Sequence, residues 1–339
     1  MPIFHRHLRF VRHSSLLTAC TLAIIVSQHP ALAQNEFAAA FSPDRDETTP
    51  TSWNVSSADQ TSVRDQDSDW QMTRYDFRLS TPVWSNERTA VDLHGRFTLL
   101  DMETRALLPE SFFEKLPDSL WDVRLGGTFR HKLDNGWTAG GGLTLGSASD
   151  HPFASADESV LQASAFVRVP VDERDSWLFL LYTSNTWDLE PFVPLPGIGY
   201  SFKRGDLFEG TIGAPYTSLQ YRPIDRLTLE ASYLMPRTVH ARAGYRLFEP
   251  LELFATFDWD NQSFFRHDRS HRDHRLVYDE KRVMGGIDWR LGENVNLTLA
   301  AGYAFDRFFF EGEDYDDRGR NRINFADGAL ATVRLSVSF

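Results

Sequence analysis

Ala329-Leu330-Ala331-Thr332-Val333-Arg334-Leu335-Ser336-Val337-Ser338-Phe339 is the stretch whose reading decides the fold. Successive residues of a strand point to opposite faces. Ala329, Ala331, Val333, Leu335, Val337 and Phe339 therefore share one apolar wall, while Thr332, Arg334, Ser336 and Ser338 make the other wall mostly polar. A strand that is greasy on one side and wet on the other, with an aromatic at its end, fits a span of a membrane barrel.

The same period of two runs backwards through the chain. Trp121, Val123, Leu125, Gly127 and Phe129 alternate with Asp122, Arg124, Gly126, Thr128 and Arg130. The hairpin signal Asp134-Asn135-Gly136 follows, and then Trp137, Ala139, Gly141, Leu143 and Leu145 resume the apolar face. Comparable ladders begin at Val91, Leu161, Leu227, Val239, Leu251, Val283 and Val295, and many end on Trp, Tyr or Phe, where an aromatic girdle meets lipid headgroups. The expected fold is all-β, a transmembrane antiparallel up-and-down β-barrel of 12 to 14 strands over 72–339. Fourteen strands would place the long connections 101–120, 150–158 and 188–195 on the inner side. Dropping 72–81 and 196–203 leaves twelve and puts every long connection outside.

Upstream, Arg6, Arg9 and Arg12 precede an apolar run over 16–26, and Ala31-Leu32-Ala33 stands before Gln34, the three regions of a secretory signal peptide over 1–33. Cys20 in Leu17-Thr18-Ala19-Cys20 offers a rival lipoprotein reading, but the apolar run continues past it. Residues 34–71, rich in Ser, Thr, Asp and Gln, read as a disordered periplasmic segment, with a plug of the barrel mouth as the alternative.

Composition narrows function. Cys20 is the only cysteine, so the mature chain has no disulfide, thiolate metal site or cysteine nucleophile. Removing the three arginines of the signal from a formal net charge of −12 leaves −15, which speaks against nucleic acid as a partner.

The C-terminal strand ending in Phe339 resembles the signal by which the barrel-assembly machinery recognises outer-membrane barrels. Pro194-Leu195-Pro196-Gly197-Ile198-Gly199-Tyr200-Ser201-Phe202, with Ile212-Gly213-Ala214-Pro215 and Tyr221-Arg222-Pro223, resembles a family of uncharacterised bacterial outer-membrane barrels, a domain of unknown function. That resemblance implies the cell outer membrane as location, with outer-membrane lipid and lipopolysaccharide as partners, and carries no activity.

Candidate chemistry lies first on the polar wall. Arg74, Asp76, Arg78, Asp92, His94, Arg96, Asp122, Arg124, Arg130, Arg168, Arg242, Arg246, Glu252, Asp258, Arg282, Asp288, Arg290 and Arg334 share it. These charges either line a polar channel or fill a narrow barrel as internal ion pairs, Arg242 and Arg246 meeting Glu252 and Asp258 across one hairpin turn. His267, His271 and His274 stand among four arginines, which disfavour a metal cation. The run Glu311-Gly312-Glu313-Asp314-Tyr315-Asp316-Asp317 lacks the spacing of an EF-hand loop. His94, His131 and His240 lie on strands outside any serine motif of a barrel hydrolase. No catalytic, cofactor-binding or metal residue is therefore assigned, and no cofactor is expected. The expected role is non-enzymatic: structural, or limited passage of small solutes. An open porin, a lipid hydrolase and a receptor or adhesin acting through 262–276 and 311–326 stand as alternatives.

Overall fold

The computed structural model describes residues 50–108, 114–186, 192–235, 237–319 and 321–338. The signal peptide, the start at Gln34 and the terminal Phe339 lie outside the described residues. In chain order the strands are β1 (Thr51–Ala58), β2 (Thr61–Ser62), β3 (Asp69–Ser85), β4 (Thr89–Thr104), β5 (Ser119–Lys132), β6 (Thr138–Ser149), β7 (Ser159–Pro170), β8 (Ser176–Ser184) and β9 (Leu195–Arg204). They continue as β10 (Phe208–Ala214), β11 (Tyr216–Ile224), β12 (Leu227–Leu234), β13 (Thr238–Phe248), β14 (Leu251–Phe264), β15 (Arg275–Arg290), β16 (Val295–Gly312), β17 (Arg322–Phe325) and β18 (Gly328–Val337). A short helical turn, η1, spans Ala156–Glu158, and a second, η2, spans Tyr315–Gly319.

Every neighbouring pair is antiparallel, and the ring closes where β1 lies between β18 and β3, Thr51 opposite Val337 and Ser52 opposite Arg78. Sixteen strands form the ring, with β2 and β17 as short additions beside β3 and β16. The count exceeds the 12 to 14 expected from periodicity. One extra strand is β1, which falls inside the segment expected to be disordered. Its inward residues Ser52, Asn54 and Ser56 are small and polar, so only Trp53 and Val55 carry an outward apolar signal. A second obstacle to counting is the β10–β11 hairpin, whose strands are separated by Pro215 alone. Both segments whose omission gave twelve, 72–81 and 196–203, are strand. With sixteen, every connection longer than five residues falls at one end, the loop end, while β1 begins and β18 ends at the other, the turn end.

The outer wall is apolar all the way round. Phe77, Leu125, Leu143, Phe179, Ile198, Ile212, Leu229, Leu253, Val283, Leu299 and Val333 are exposed, one or more from each sector of the ring. Trp177, Tyr221, Tyr245 and Trp289 edge this belt toward the turn end, and Trp121, Tyr233, Trp259 and Tyr303 edge it toward the loops. From Leu251 to Trp259 one strand rises roughly 26 Å, or about 20 Å along the barrel axis once strand tilt is allowed for. That is close to the height of a hydrocarbon band. A water-soluble monomer rarely leaves so large an apolar surface uncovered. No helix among the described residues is long and apolar enough to cross a membrane.

The ring is pinched at the loop end. β6 and β14 stand on opposite sides of it, yet Phe265 donates its backbone N–H to the carbonyl of Ala148 at 2.7 Å, and Ser149 and Phe265 form a parallel bridge. The pinch divides the upper lumen into two lobes, each with its own apolar filling. Trp70, Met72, Leu100, Met102, Leu120, Phe264, Tyr278, Phe309 and Phe325 pack the first, with Trp70 stacked on Phe325 at 4.3 Å between ring centres. Phe166, Leu178, Leu180, Tyr182, Tyr216 and Leu234 pack the second. These side chains sit on the inward parity, which is otherwise polar. They turn the upper half of a wide ring into something packed like a soluble core.

Candidate functional site

Below the apolar filling the lumen is a lattice of charges held in place by sheet register. Arg74 donates to Asp76 at 2.8 Å and to Asp260 at 3.3 Å. Arg282 lies 3.5 Å from both Asp258 and Glu280. Arg242 donates to Glu252 at 2.6 Å and also to Asp288, and its guanidinium sits 4.2 Å from the ring centre of Phe254. Each of these three arginines thus holds two carboxylates. Gly244 makes the last arrangement feasible, because a Cβ there would come 2.4 Å from Oε1 of Glu252. Hydroxyls complete the carboxylate shells, Thr98 on Asp76 at 2.8 Å and Thr298 on Asp288.

The expected pairing across the β13–β14 hairpin is half right. Arg242 meets Glu252, whereas Arg246 stands opposite Glu252 in register but forms its ion pair with Glu249 at 3.3 Å, in an exposed setting. A register irregularity between Arg246 and Phe248 accompanies that difference. Asp258 takes His240 instead, accepting from Nδ1 at 2.7 Å.

A second feature runs sideways. Arg78, Arg96 and Arg124 stand directly opposite one another on β3, β4 and β5. Like charges so placed repel. Asp122 answers two of them, Arg96 at 3.0 Å and Arg124 at 2.6 Å. Side-chain exposure grows toward the turn end, from 3% at Arg74 to 17% at Arg96 and 25% at Arg130, which pairs with Asp92. On the far wall it grows from 15% at Arg242 to 47% at Arg246. The lower lumen is therefore a vestibule open at the turn end and blind above. Its floor holds a cavity of about 80 Å³ lined by Ser52, Asn54, Arg78, His240, Asp258 and Arg334, among others.

The strand histidines have separate tasks. His94 Nε2 meets the Thr144 hydroxyl at 3.0 Å, and His131 Nδ1 meets Thr89 at 2.8 Å. His240 leaves Nε2 buried without a partner.

At the loop end the histidine-rich segment is a strap. His267 Nδ1 lies 3.0 Å from Glu158, its backbone N–H donates to Asp150 at 2.8 Å, and Arg272 pairs with Asp157. Arg266 is a buried hub for Glu311 at 2.7 Å and for Glu114 and Asp268 at 2.8 Å each. Hydrogen bonding to Glu158 holds the His267 imidazolium above its ordinary range. Glu158 is held below the ordinary carboxylate range by that bond and by those from Ser155, against the opposing pull of burial. Part of the acidic run serves the turn around it: Asp317 accepts from the Glu313 N–H and Asp314 from the Asp316 N–H. Among the described residues no three His, Cys, Asp or Glu side chains converge as a metal site.

Sequence reading missed the strap and the pinch because both join segments far apart in the chain. A usable signal for the filled lumen was present, namely apolar Trp70, Met72, Leu100 and Met102 on the same parity as Arg74 and Arg96.

No protein-family model matches the chain and no curated protein matches it in sequence, so the resemblance drawn from the stretch between Pro194 and Pro223 finds no support there. Among solved structures the chain is similar to a mutant porin of Rh. blastica, at 11% identity, 86% of this chain and 100% of that chain, with a TM-score of 0.37. An outer membrane channel from Pseudomonas putida is similar at 11% identity over 87% of this chain and 99% of that one, with a TM-score of 0.34. The translocator domain of an autotransporter from Neisseria meningitidis is similar at 10% identity over 90% and 94%, with a TM-score of 0.31. At such TM-scores the activities of those proteins carry nothing over to this one.

Proposed function

We propose that the chain is an integral outer-membrane β-barrel of a Gram-negative-type envelope, non-enzymatic, with a structural role and at most limited passage of small solutes. The apolar belt supports embedding, and the short turns support a periplasmic turn end. One observation carries the closed-lumen reading: the walls meet at Phe265 and Ala148 above an ion-paired vestibule. Sixteen-stranded porins leave an aqueous channel, and here apolar side chains occupy the corresponding space. Planar-bilayer recording of refolded protein tests it. Small or absent conductance is the expected result, and large stable single-channel steps would favour the open-porin alternative. We further propose lipopolysaccharide and outer-membrane lipid as the surroundings of the belt, and recognition of the strand ending at Phe339 by the barrel-assembly machinery. Deleting Phe339 should lower the heat-modifiable protein in outer-membrane fractions. Intact mass of extracted protein should give Gln34 as the first residue.

A further inference from the structure

We propose that the floor of the vestibule binds a small tetrahedral oxyanion, of the size of inorganic phosphate, between Arg334 and Arg78. The cavity wall carries five arginines and three aspartates, with Asp260, Glu252 and Glu280 reaching three of those arginines from outside the lining. Arg74, Arg242 and Arg282 are satisfied by two carboxylates each. Arg334 is different: among the described residues it makes no ion pair and no hydrogen bond. A guanidinium left so inside a barrel is costly without a counter-charge, and its planar fork of donors matches an oxyanion.

The space for that anion comes from β1. Arg78 stands opposite Ser52 and Arg334 opposite Asn54, so the two guanidiniums flank a strand whose inward side chains are short and uncharged. His240, on the far wall, lines the same cavity. About 80 Å³ is room for an inorganic anion with water. Access is from the turn end, where exposure of the lining rises.

The test uses the mature chain refolded in detergent, in buffer free of oxyanions, titrated with inorganic phosphate and followed by calorimetry and thermal unfolding. Saturable, single-site binding that raises Tm is expected. Arg334→Gln should weaken it about tenfold or more, Arg334→Lys less, and Arg246→Gln at the rim not at all. Without phosphate, Arg334→Gln should be at least as stable as the parent and equally heat-modifiable, because it removes a buried charge that no hydrogen bond satisfies. A short-chain phosphatidic acid should bind more weakly than the free anion. Absence of saturation, equal phosphate affinity in Arg334→Gln, lower stability of that variant in anion-free buffer, or preference for the lipid phosphate would each overturn the proposal. None of these outcomes depends on conductance, so a failure here is separable from failure of the closed-lumen reading.

Discussion

Phe265 and Ala148 share a backbone hydrogen bond of 2.7 Å although their strands face each other across the ring. A round barrel of this size would hold them far apart. Adjacent strands lie about 4.8 Å apart, within the Cα separation a disulfide spans. The double variant Ser149→Cys with Phe265→Cys, in a mature chain otherwise expected to lack cysteine, should therefore cross-link on mild oxidation of refolded protein. Two thiols that remain free under oxidant would sink the pinch.

Proton binding should govern the strap. His267 is raised, so its pairing with Glu158 is fully present below the ordinary histidine value and is lost as pH rises through the raised one. Glu158 is lowered, so its contribution is present above the ordinary glutamate value and is lost as pH falls through the lowered one. Amide-exchange protection of 150–158, corrected for intrinsic rates, should peak between these limits. His267→Gln should erase the alkaline limb; a limb that persists would locate the titration elsewhere.

Alanine at two arginines of one strand should behave differently. Arg242→Ala strands Glu252 and Asp288 and should cost about 3 to 5 kcal/mol. Arg246→Ala breaks an exposed pair and should stay within about 0.5 kcal/mol. Denaturant unfolding of refolded protein followed by tryptophan fluorescence measures both.

Arginine placed on the outer wall should be resisted for another reason. Leu229→Arg near the middle of the belt should cost roughly 2 to 4 kcal/mol. Thr228→Arg, facing the vestibule, should cost much less. Thr298→Arg shares that inward parity but should be damaging, because Thr298 is buried and donates to Asp288. Equal tolerance at Leu229 and Thr228 would argue against a lipid-facing belt.

Alternation made the barrel wall legible because a strand with an apolar outer face announces itself every second residue, as in Leu251, Leu253, Ala255 and Phe257. β1 was illegible for the converse reason. Its outward signal is Trp53 and Val55 alone, and it is a strand because Thr51–Ala58 finds partners on both β18 and β3. Inner charges could be assigned to the lumen by parity. Their partners could not, since Arg246 faces Glu252 in register and turns to Glu249. The pinch between β6 and β14 is a backbone contact with no side-chain pattern to betray it. Parity also cannot separate the crowded position Thr298 from the roomier Thr228.

The Ser56 and Thr332 hydroxyls lie 2.8 Å apart while 276 positions separate them in the chain. The seam that seals the sheet is thus a contact of extreme sequence separation. Closing a loop of that length is only modestly dearer in entropy than closing one half as long, by about 0.6 kcal/mol, but it comes late, since non-local pairing is slow. Until it forms, both edges offer unpaired N–H and C=O groups to any passing strand. Mutations in β1 should therefore register as losses in the yield of folded protein before they register as losses in the finished protein's stability.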